Sequence, residues 1–232
     1  MQDSAIQKEV LPNLTRKDVG LILMSEWKTD GKSEQRKAVD AAMQVWDHFP
    51  WPKGLLSYNC YLGNNGQSIL HYSQWEDEES QGEFVKNDPP ERMQEIMKSV
   101  SIERQGLDKY HLYRSIVSDS AAIPGCIVMV REEFEKAELT TQFIDTVCQA
   151  LADDPQKCTG GMAAYFHVNL EGTVMMNYAE WTNEQAHQDC LDRSAKYPKE
   201  ISPLWQKVWQ FPGRLPKGQV KRFRFYRSIS KS

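Results

Sequence analysis

The chain has 232 residues and a net charge of −4, with 40% hydrophobic and 26% charged residues. That length suits one large domain or two of about 110 residues each, and the composition is that of a soluble globular protein. No apolar run approaches the ~20 residues of a membrane span, no apolar signal segment opens the chain, and the mild acidity argues against nucleic acid as the main partner.

The first half predicts strands and helices in the order βαββαβ, with one further helix. In chain order these are a strand at 19–27, a helix at 33–46 with Ser33 as its N-cap, strands at 55–62 and 68–75, a helix from 76, a helix at 91–100 and a last strand that contains 113–116. The first strand is rich in Leu, Val, Ile and Met, and Asn65-Gly66 between the second and third strands is a strong hairpin signal.

The second half predicts the same order. Its elements are a strand at 126–134, a helix at 138–151, strands at 162–169 and 173–181, a helix with Thr182 as its N-cap, a helix at 203–210 and a last strand that contains 226–229. The sequence Tyr-Arg-Ser-Ile ends both halves, and 66–80 aligns with 172–186 at four identical positions: Gly66/Gly172, Tyr72/Tyr178, Trp75/Trp181 and Glu78/Glu184. Blocks that recur in the same order at similar offsets indicate an internal repeat.

The order βαββαβ is that of a ferredoxin-like sandwich, in which helices cover one face of the sheet. Two such halves in one chain can bury their uncovered sheet faces. We therefore predict an α+β protein of two tandem ferredoxin-like repeats, at 1–117 and 126–232, joined by a linker at 118–125. The repeats are expected to form an intramolecular pseudo-dimer like a dimeric α/β barrel, and a homo-oligomer of such chains is compatible with the pattern.

The number of cysteines is odd, and no two of them form a CxxC motif. They are Cys60, Cys126, Cys148, Cys158 and Cys190. A disulfide framework or a cysteine zinc site is not expected from this pattern, and His71 and His111 have no nearby metal-ligand partner. We therefore predict reduced, mostly buried thiols, no metal and a cytoplasmic location.

The segment 167–187 carries the motif Asn-Tyr-Ala-Glu-Trp at 177–181, followed by Glu184 and Ala186. It resembles the antibiotic biosynthesis monooxygenase family of small dimeric α+β barrels, and the first half carries a diverged version, His-Tyr-Ser-Gln-Trp, at 71–75. The resemblance covers nearly the whole chain. It implies a tandem member of that family, similar to its anthrone oxygenases and its angucycline ring-opening oxygenases.

The anthrone oxygenases of the family use a His, an Asn and a Trp at a spacing that His167, Asn177 and Trp181 reproduce. The resemblance implies that these three are catalytic and that the second half is the active one. His187 stands where the family enzyme has a Tyr, and the pocket Arg of the family has no clear counterpart. In the first half, His71 replaces the Asn and Tyr61 replaces the upstream His.

These residue types suit oxidation of an anthrone, whose enolate can pass an electron to O2 directly. His167 is the first candidate for the base and His187 the second, Asn177 could stabilise an oxyanion, and Trp181 offers an indole N–H and a flat face. Strand alternation places Asn177 and Trp181 on one face, with Met176 and Tyr178 expected to point toward the helices. Four further residues are predicted to bind substrate: His187, Tyr165, His71 and Trp75.

The main prediction is a cofactor-independent monooxygenase that oxidises an anthrone- or quinol-type aromatic polyketide with O2 in secondary metabolism. One alternative is an oxygenase that uses reduced flavin, FADH2 or FMNH2, to open or hydroxylate such a ring. Another is a ligand-binding or stress module of the same fold without catalysis, because fold alone does not decide function. The expected partners are a small aromatic molecule and O2, with neither nucleic acid nor membrane.

Overall fold

The computed structural model describes residues 6–118, 122–153, 158–196 and 202–231. Residues 119–121 of the predicted linker therefore lie outside the described residues. None of the described helices is long and apolar enough to cross a membrane.

The described elements follow the predicted order in both halves. The first half contains β1 (Ile6–Lys8), β2 (Leu21–Lys28), α1 (Lys32–His48), β3 (Leu55–Gly63), β4 (Ser68–Trp75), α2 (Glu78–Asn87), α3 (Pro90–Met97) and β5 (Glu103–Val117). The second half contains β6 (Cys126–Glu133), α4 (Ala137–Asp153), β7 (Gly161–Asn169), β8 (Val174–Trp181), α5 (Glu184–Lys196), α6 (Pro203–Trp209) and β9 (Gln219–Lys231). The α+β class and the two ferredoxin-like repeats are thereby confirmed, and the short strand β1 is an addition.

The chain forms two compact units whose boundaries differ from those of the sequence repeats. One unit consists of Met1–Tyr110 with Phe223–Ser232, and the other of His111–Arg222. The last strand of each repeat is therefore divided: β5 changes unit after Tyr110, and β9 changes unit after Arg222. Sequence similarity locates the repeated pattern, but it cannot show where a long strand leaves one packed unit for the other.

In the first unit, β4 lies between β2 and β3 in an antiparallel arrangement. The first part of β5 pairs with β2, and the last part of β9 pairs with β3 and β1. One face of this sheet packs against α1 and α3 through an apolar cluster: Trp27, Ala38, Val39, Ala42, Met43, Val45, Cys60, Leu62, Ile69, Ile96, Val100 and Ile229.

In the second unit, β8 lies between β6 and β7, again antiparallel. The last part of β5 is the neighbour of β7, and β9 also pairs with β6. The core between sheet and helices is built on α4 and α6 and contains Phe134, Phe143, Ile144, Val147, Cys148, Ala150, Ala164, Phe166, Met175 and Val208.

The repeat is visible in the backbone as well as in the sequence. Gly20 and Gly125 each donate an N–H to the carbonyl of the motif tryptophan of their half at 3.0 Å. A Cβ at either position would overlap the carbonyl oxygen two residues before α2 or α5, so only glycine fits. The turn glycines Gly66 and Gly172 both have positive φ, 74° and 79°.

Two predicted helix caps are wrong by one or two residues. α1 begins at Lys32 with Gly31 as its N-cap, so Ser33 lies inside the first turn. The backbone N–H of Ala186 is bound by the side chain of Asn183 at 2.9 Å, which makes Asn183 rather than Thr182 the cap of α5. Neighbouring Ser, Thr and Asn residues have similar capping preference, so the sequence alone could not choose between them.

Candidate functional site

The helix-facing side of the second unit contains the motif residues Asn177 and Trp181. Alternate residues of β8 share a face, so Asn177 and Trp181 are on the same side as Met175. Met175 packs with Phe143 of α4 in the apolar core under the helices. The prediction that Met176 and Tyr178 point toward the helices is therefore wrong. Both faces of β8 carry buried residues, so the hydrophobic pattern could not tell the two faces apart.

Asn177 and Trp181 are four positions apart on β8, which corresponds to about 13 Å along a strand. The position between them is Ala179, whose cross-strand neighbours are Val128 of β6 and Ala164 of β7. Three small side chains thus line the strand face between a polar residue and an indole. Val128 and Ala164 are buried, whereas Ala179, Asn177 and Trp181 are partly exposed.

Asn177 has a buried polar atom without a partner. Its Oδ1 makes no hydrogen bond within the described part of the chain. Its cross-strand neighbours, Val130 and Phe166, have no polar side-chain atoms that could provide one. Such an unsatisfied group costs roughly 1–3 kcal/mol, so this oxygen is a place where a ligand hydroxyl or N–H would be favoured.

Trp181 contacts His187 of α5, with the ring centroids 5.0 Å apart in an edge-to-face arrangement. Arg222 of β9 holds the imidazole from the other direction, because its Nε donates to His187 Nδ1 at 3.0 Å. The other guanidinium nitrogens of Arg222 donate to Gln188 Oε1 at 2.6 Å and Glu184 Oε1 at 3.4 Å. Spacings of three and four residues place these partners on one face of α5, so a single arginine fixes a whole helical turn.

Burial and the neighbouring Arg222 cation keep the His187 ring neutral. Burial is the main reason that the pKa of His187 falls to about 4, and the Arg222 guanidinium lowers it further against an opposing effect of Glu184. The Cys126 thiol of β6, opposite Trp181, feels the same two charges, and burial raises its pKa to about 11. Both groups are therefore uncharged near neutral pH.

His167 and Tyr165 are not part of this group. They pair across β7 and β8 with Met176 and Tyr178, on the sheet face that points away from the helices. His167 is fully buried, its Nδ1 is hydrogen-bonded to the carbonyl of Met176 at 3.1 Å, and burial lowers its pKa to about 4. The rings of Tyr165 and Tyr178 are 6.0 Å apart, and burial raises the pKa of Tyr165 to about 12.

The structure thus places Asn177, Trp181 and His187 on the helix-facing side and His167 with Tyr165 on the other. The sequence spacing of His167 to Asn177 matched the family, but a strand register that pairs residue 167 with residue 176 puts the two on opposite faces. Arg222 was missed because β9 is remote in sequence. The repeat did contain a signal: Arg222 lies four positions before Tyr226, and the first half has another cation, Lys109, four positions before the equivalent Tyr113.

In the first unit the equivalent strand position carries a larger side chain. Ala164 corresponds to Tyr58, whose hydroxyl is 2.7 Å from His71 Nδ1. The His71 ring also lies 3.3 Å from Cys60 Sγ and 4.1 Å, between centroids, from Trp27. Burial lowers the pKa of His71 to about 3, and its Nε2 is buried without a partner in the described part of the chain.

The rest of the first-unit position has also diverged. Trp75 is buried in a cluster with Leu21, Leu23 and Leu55, and its ring lies 5.3 Å from that of Phe84. The alignment places Gln81 where the second half has His187. Lys109, the counterpart of Arg222, forms an ion pair with Glu78 at 4.0 Å.

Cys158 and Cys190 form a disulfide with their Cα atoms 5.5 Å apart, which corrects the expectation of five reduced thiols. The other three cysteines are free and buried, as expected. Cys190 lies on α5 one turn after His187, and Cys158 lies just before β7. Because 32 residues separate the two, no local spacing motif could reveal the pair. No group of three potential metal ligands occurs among the residues that the structure describes.

No family profile matches the sequence. No curated protein matches it either. Solved structures do resemble it: an anthrone oxidase-like protein has a TM-score of 0.73 at 16% identity, with 92% of this chain and 94% of that one covered. A provisionally assigned monooxygenase from Lactobacillus acidophilus has a TM-score of 0.55 at 11% identity, covering 91% and 96%. One from Fusobacterium nucleatum also has 0.55, at 10% identity, covering 92% and 95%. The chain therefore has the fold of anthrone oxidase-like and monooxygenase proteins, which is the fold that its sequence motif implied.

Proposed function

We propose that the chain is an oxygenase that oxidises a flat, anthrone- or quinol-type aromatic with O2 on the helix-facing side of the second unit. The observation that carries this proposal is the surface of small residues, Val128, Ala164 and Ala179, between Asn177 and the Trp181–His187 pair. Its length of about 13 Å suits a three-ring molecule. The name of the anthrone oxidase-like neighbour supports the same substrate class.

Each residue of the site has a task in this reaction. Val128, Ala164 and Ala179 provide the surface for the rings, and Trp181 packs at one end and offers an indole N–H. Asn177 provides a polar contact for a ring hydroxyl through its unpartnered Oδ1. Holding the substrate in one orientation and stabilising its enolate are the contributions of the protein, because an anthrone C–H is already acidic.

The chemistry balances without an added reductant. The CH2 of an anthrone gives a proton to water, the resulting enolate gives an electron to O2, and recombination with superoxide yields a peroxide anion that takes a proton back to become the hydroperoxide of the substrate. Loss of water then leaves C=O. One oxygen atom stays in the product and the other leaves as water with the two hydrogens, so O2 accepts all four electrons.

Oxygen uptake with dithranol, a simple hydroxyanthrone, tests the proposal, with and without FMNH2 and against the spontaneous oxidation of dithranol. We expect uptake without flavin. Ala164→Tyr, which installs the residue of the first unit, should abolish it by filling the surface. Trp181→Phe should slow it about tenfold through loss of one hydrogen-bond donor. Trp75→Phe is the matched control in the first unit and should leave the rate unchanged.

The other outcomes separate the alternatives. Uptake that requires FMNH2, above the autoxidation of the flavin, would favour a flavin-dependent oxygenase. Absence of stimulated uptake in both conditions, with the protein folded, would favour a binding module or a different substrate class.

A further inference from the structure

The position of Arg222 beside His187 determines what that histidine can do. A guanidinium has only N–H donors, so the His187 Nδ1 that it contacts at 3.0 Å must be an unprotonated acceptor. A neutral imidazole carries one ring proton, which must then be on Nε2. The Nδ1 lone pair is occupied, and the group that the ring can offer to a ligand is the Nε2–H.

The surroundings strengthen that donor. Arg222 is fixed by Glu184 and Gln188 as well as by the ring, so its positive charge stays against Nδ1. A cation at one nitrogen polarises the N–H at the other and makes it a better donor to negative charge. Trp181 covers an edge of the same ring, and the nearby Cys126 is uncharged.

We propose that Arg222 is a positioning residue that holds neutral His187 with its proton on Nε2, so that this site selects a ligand with an anionic oxygen, such as a phenolate or enolate. His187 then acts as a hydrogen-bond donor to the ligand and does not abstract its proton. This inference rests on the site of the proposed function, and it specifies the ionisation state of the substrate that the site accepts.

The first experiment reads the ring directly. Nitrogen-15 NMR of the full chain, with the His187 signals assigned from their loss in His187→Gln, should show a protonated Nε2 and an unprotonated Nδ1. Titration near neutral pH should not protonate the ring while Arg222 is present, because burial and the Arg222 charge both oppose a second ring proton and outweigh the opposite effect of the facing anion, Glu184. In Arg222→Met, the tautomers should mix and the pKa should move toward its ordinary value. Lys109→Met, the counterpart in the first unit, should change nothing.

The second experiment uses alizarin, a hydroxyanthraquinone whose colour reports its ionisation and which needs no turnover. The wild-type protein should bind the anion in preference to the neutral dye, and Arg222→Met should reduce that preference about tenfold. His187→Gln retains an N–H donor and should keep part of the preference, whereas His187→Leu should lose it.

A protonated Nδ1 in the wild-type spectrum would overturn the inference, as would equal binding of neutral and anionic alizarin. Neither result depends on oxygen uptake, so failure of the dithranol assay with the expected tautomer and anion preference would reject only the oxidation. Arg222→Gln is the substitute if Arg222→Met does not fold, and the wild-type spectrum decides the tautomer in either case.

Discussion

Replacement of Asn177 by leucine is expected to stabilise the protein while removing its activity. Asn177 is surrounded on the strands by Val130 and Phe166, and its buried Oδ1 has no partner within the described residues. Burying an unsatisfied amide oxygen lowers the free energy of unfolding by roughly 1–3 kcal/mol relative to burying an apolar group of similar shape. Because Asn177 is only partly buried, we expect a gain of about 1 kcal/mol.

A gain of about 1 kcal/mol corresponds to a rise of roughly 2–4 °C in the midpoint of thermal unfolding for a chain of this size. Differential scanning calorimetry measures the midpoint, and the dithranol assay measures activity on the same samples. The matched control is Asn59→Leu in the first unit. Asn59 is buried, and its Oδ1 also lacks a partner among the described residues, but its Nδ2 donates to Ser57 Oγ at 2.9 Å and to the Tyr72 carbonyl at 3.0 Å.

Asn59→Leu removes an unpartnered buried oxygen as Asn177→Leu does, but it also breaks two buried hydrogen bonds and leaves the Tyr72 carbonyl and Ser57 hydroxyl without them, so it should lower the midpoint. If Asn177→Leu lowered the midpoint as much as Asn59→Leu does, the asparagine would have a structural role and the interpretation of its oxygen as a ligand contact would be refuted. A higher midpoint with unchanged oxygen uptake would refute the functional half of the reasoning alone.

The disulfide and the buried histidines give two further predictions. Reduction of Cys158–Cys190, whose partners are 32 residues apart, should destabilise the second unit by roughly 3–4 kcal/mol on chain-entropy grounds, and Cys158→Ser with Cys190→Ser should make unfolding in urea insensitive to reductant. The pKa values of His71, His167 and His187 are lowered to about 3, 4 and 4 in the folded chain, so the unfolded chain binds their protons first. The contribution of these rings to the free energy of unfolding should be complete above the unfolded pKa near 6.5 and should be lost as pH falls from there through about 4 for His167 and His187 and about 3 for His71. His167→Gln should flatten that fall in urea titrations at several pH values, and an unchanged slope would contradict the assignment of a buried neutral ring.

The fold was predictable because the same pattern of strands, helices and motif residues occurs twice in the sequence. Turn glycines such as Gly66 and Gly172 and the motif tryptophans recur at the same offset, and local chemistry dictates their roles: positive φ in one case and strand-end packing in the other. The candidate site was predictable only in part. Asn177 and Trp181 were placed on one face by alternation, which is a local rule.

The features of the candidate site that could not be predicted from the sequence depend on contacts between residues far apart in the chain. His167 fitted a spacing along the chain, but spacing says nothing about the register that pairs it with Met176. Arg222 reaches His187 across 35 residues, and Cys158 reaches Cys190 across 32. Such contacts follow from how α5 packs on β8 and meets Arg222 of β9, and no periodicity within one element encodes that packing.

Comparison of the two units explains why only one of them retains the features of a site. In both repeats a cation on the last strand pairs with the first residue of the helix that follows the motif tryptophan: Arg222 with Glu184 of α5, and Lys109 with Glu78 of α2. Only the second unit adds a histidine that the cation can hold, and only there is the strand surface lined by alanine. In the first unit Tyr58 occupies that surface and bonds His71. The two units thus keep one fold while the side chains at this strand position and around it differ, which is why the proposed ligand site is assigned to the second unit alone.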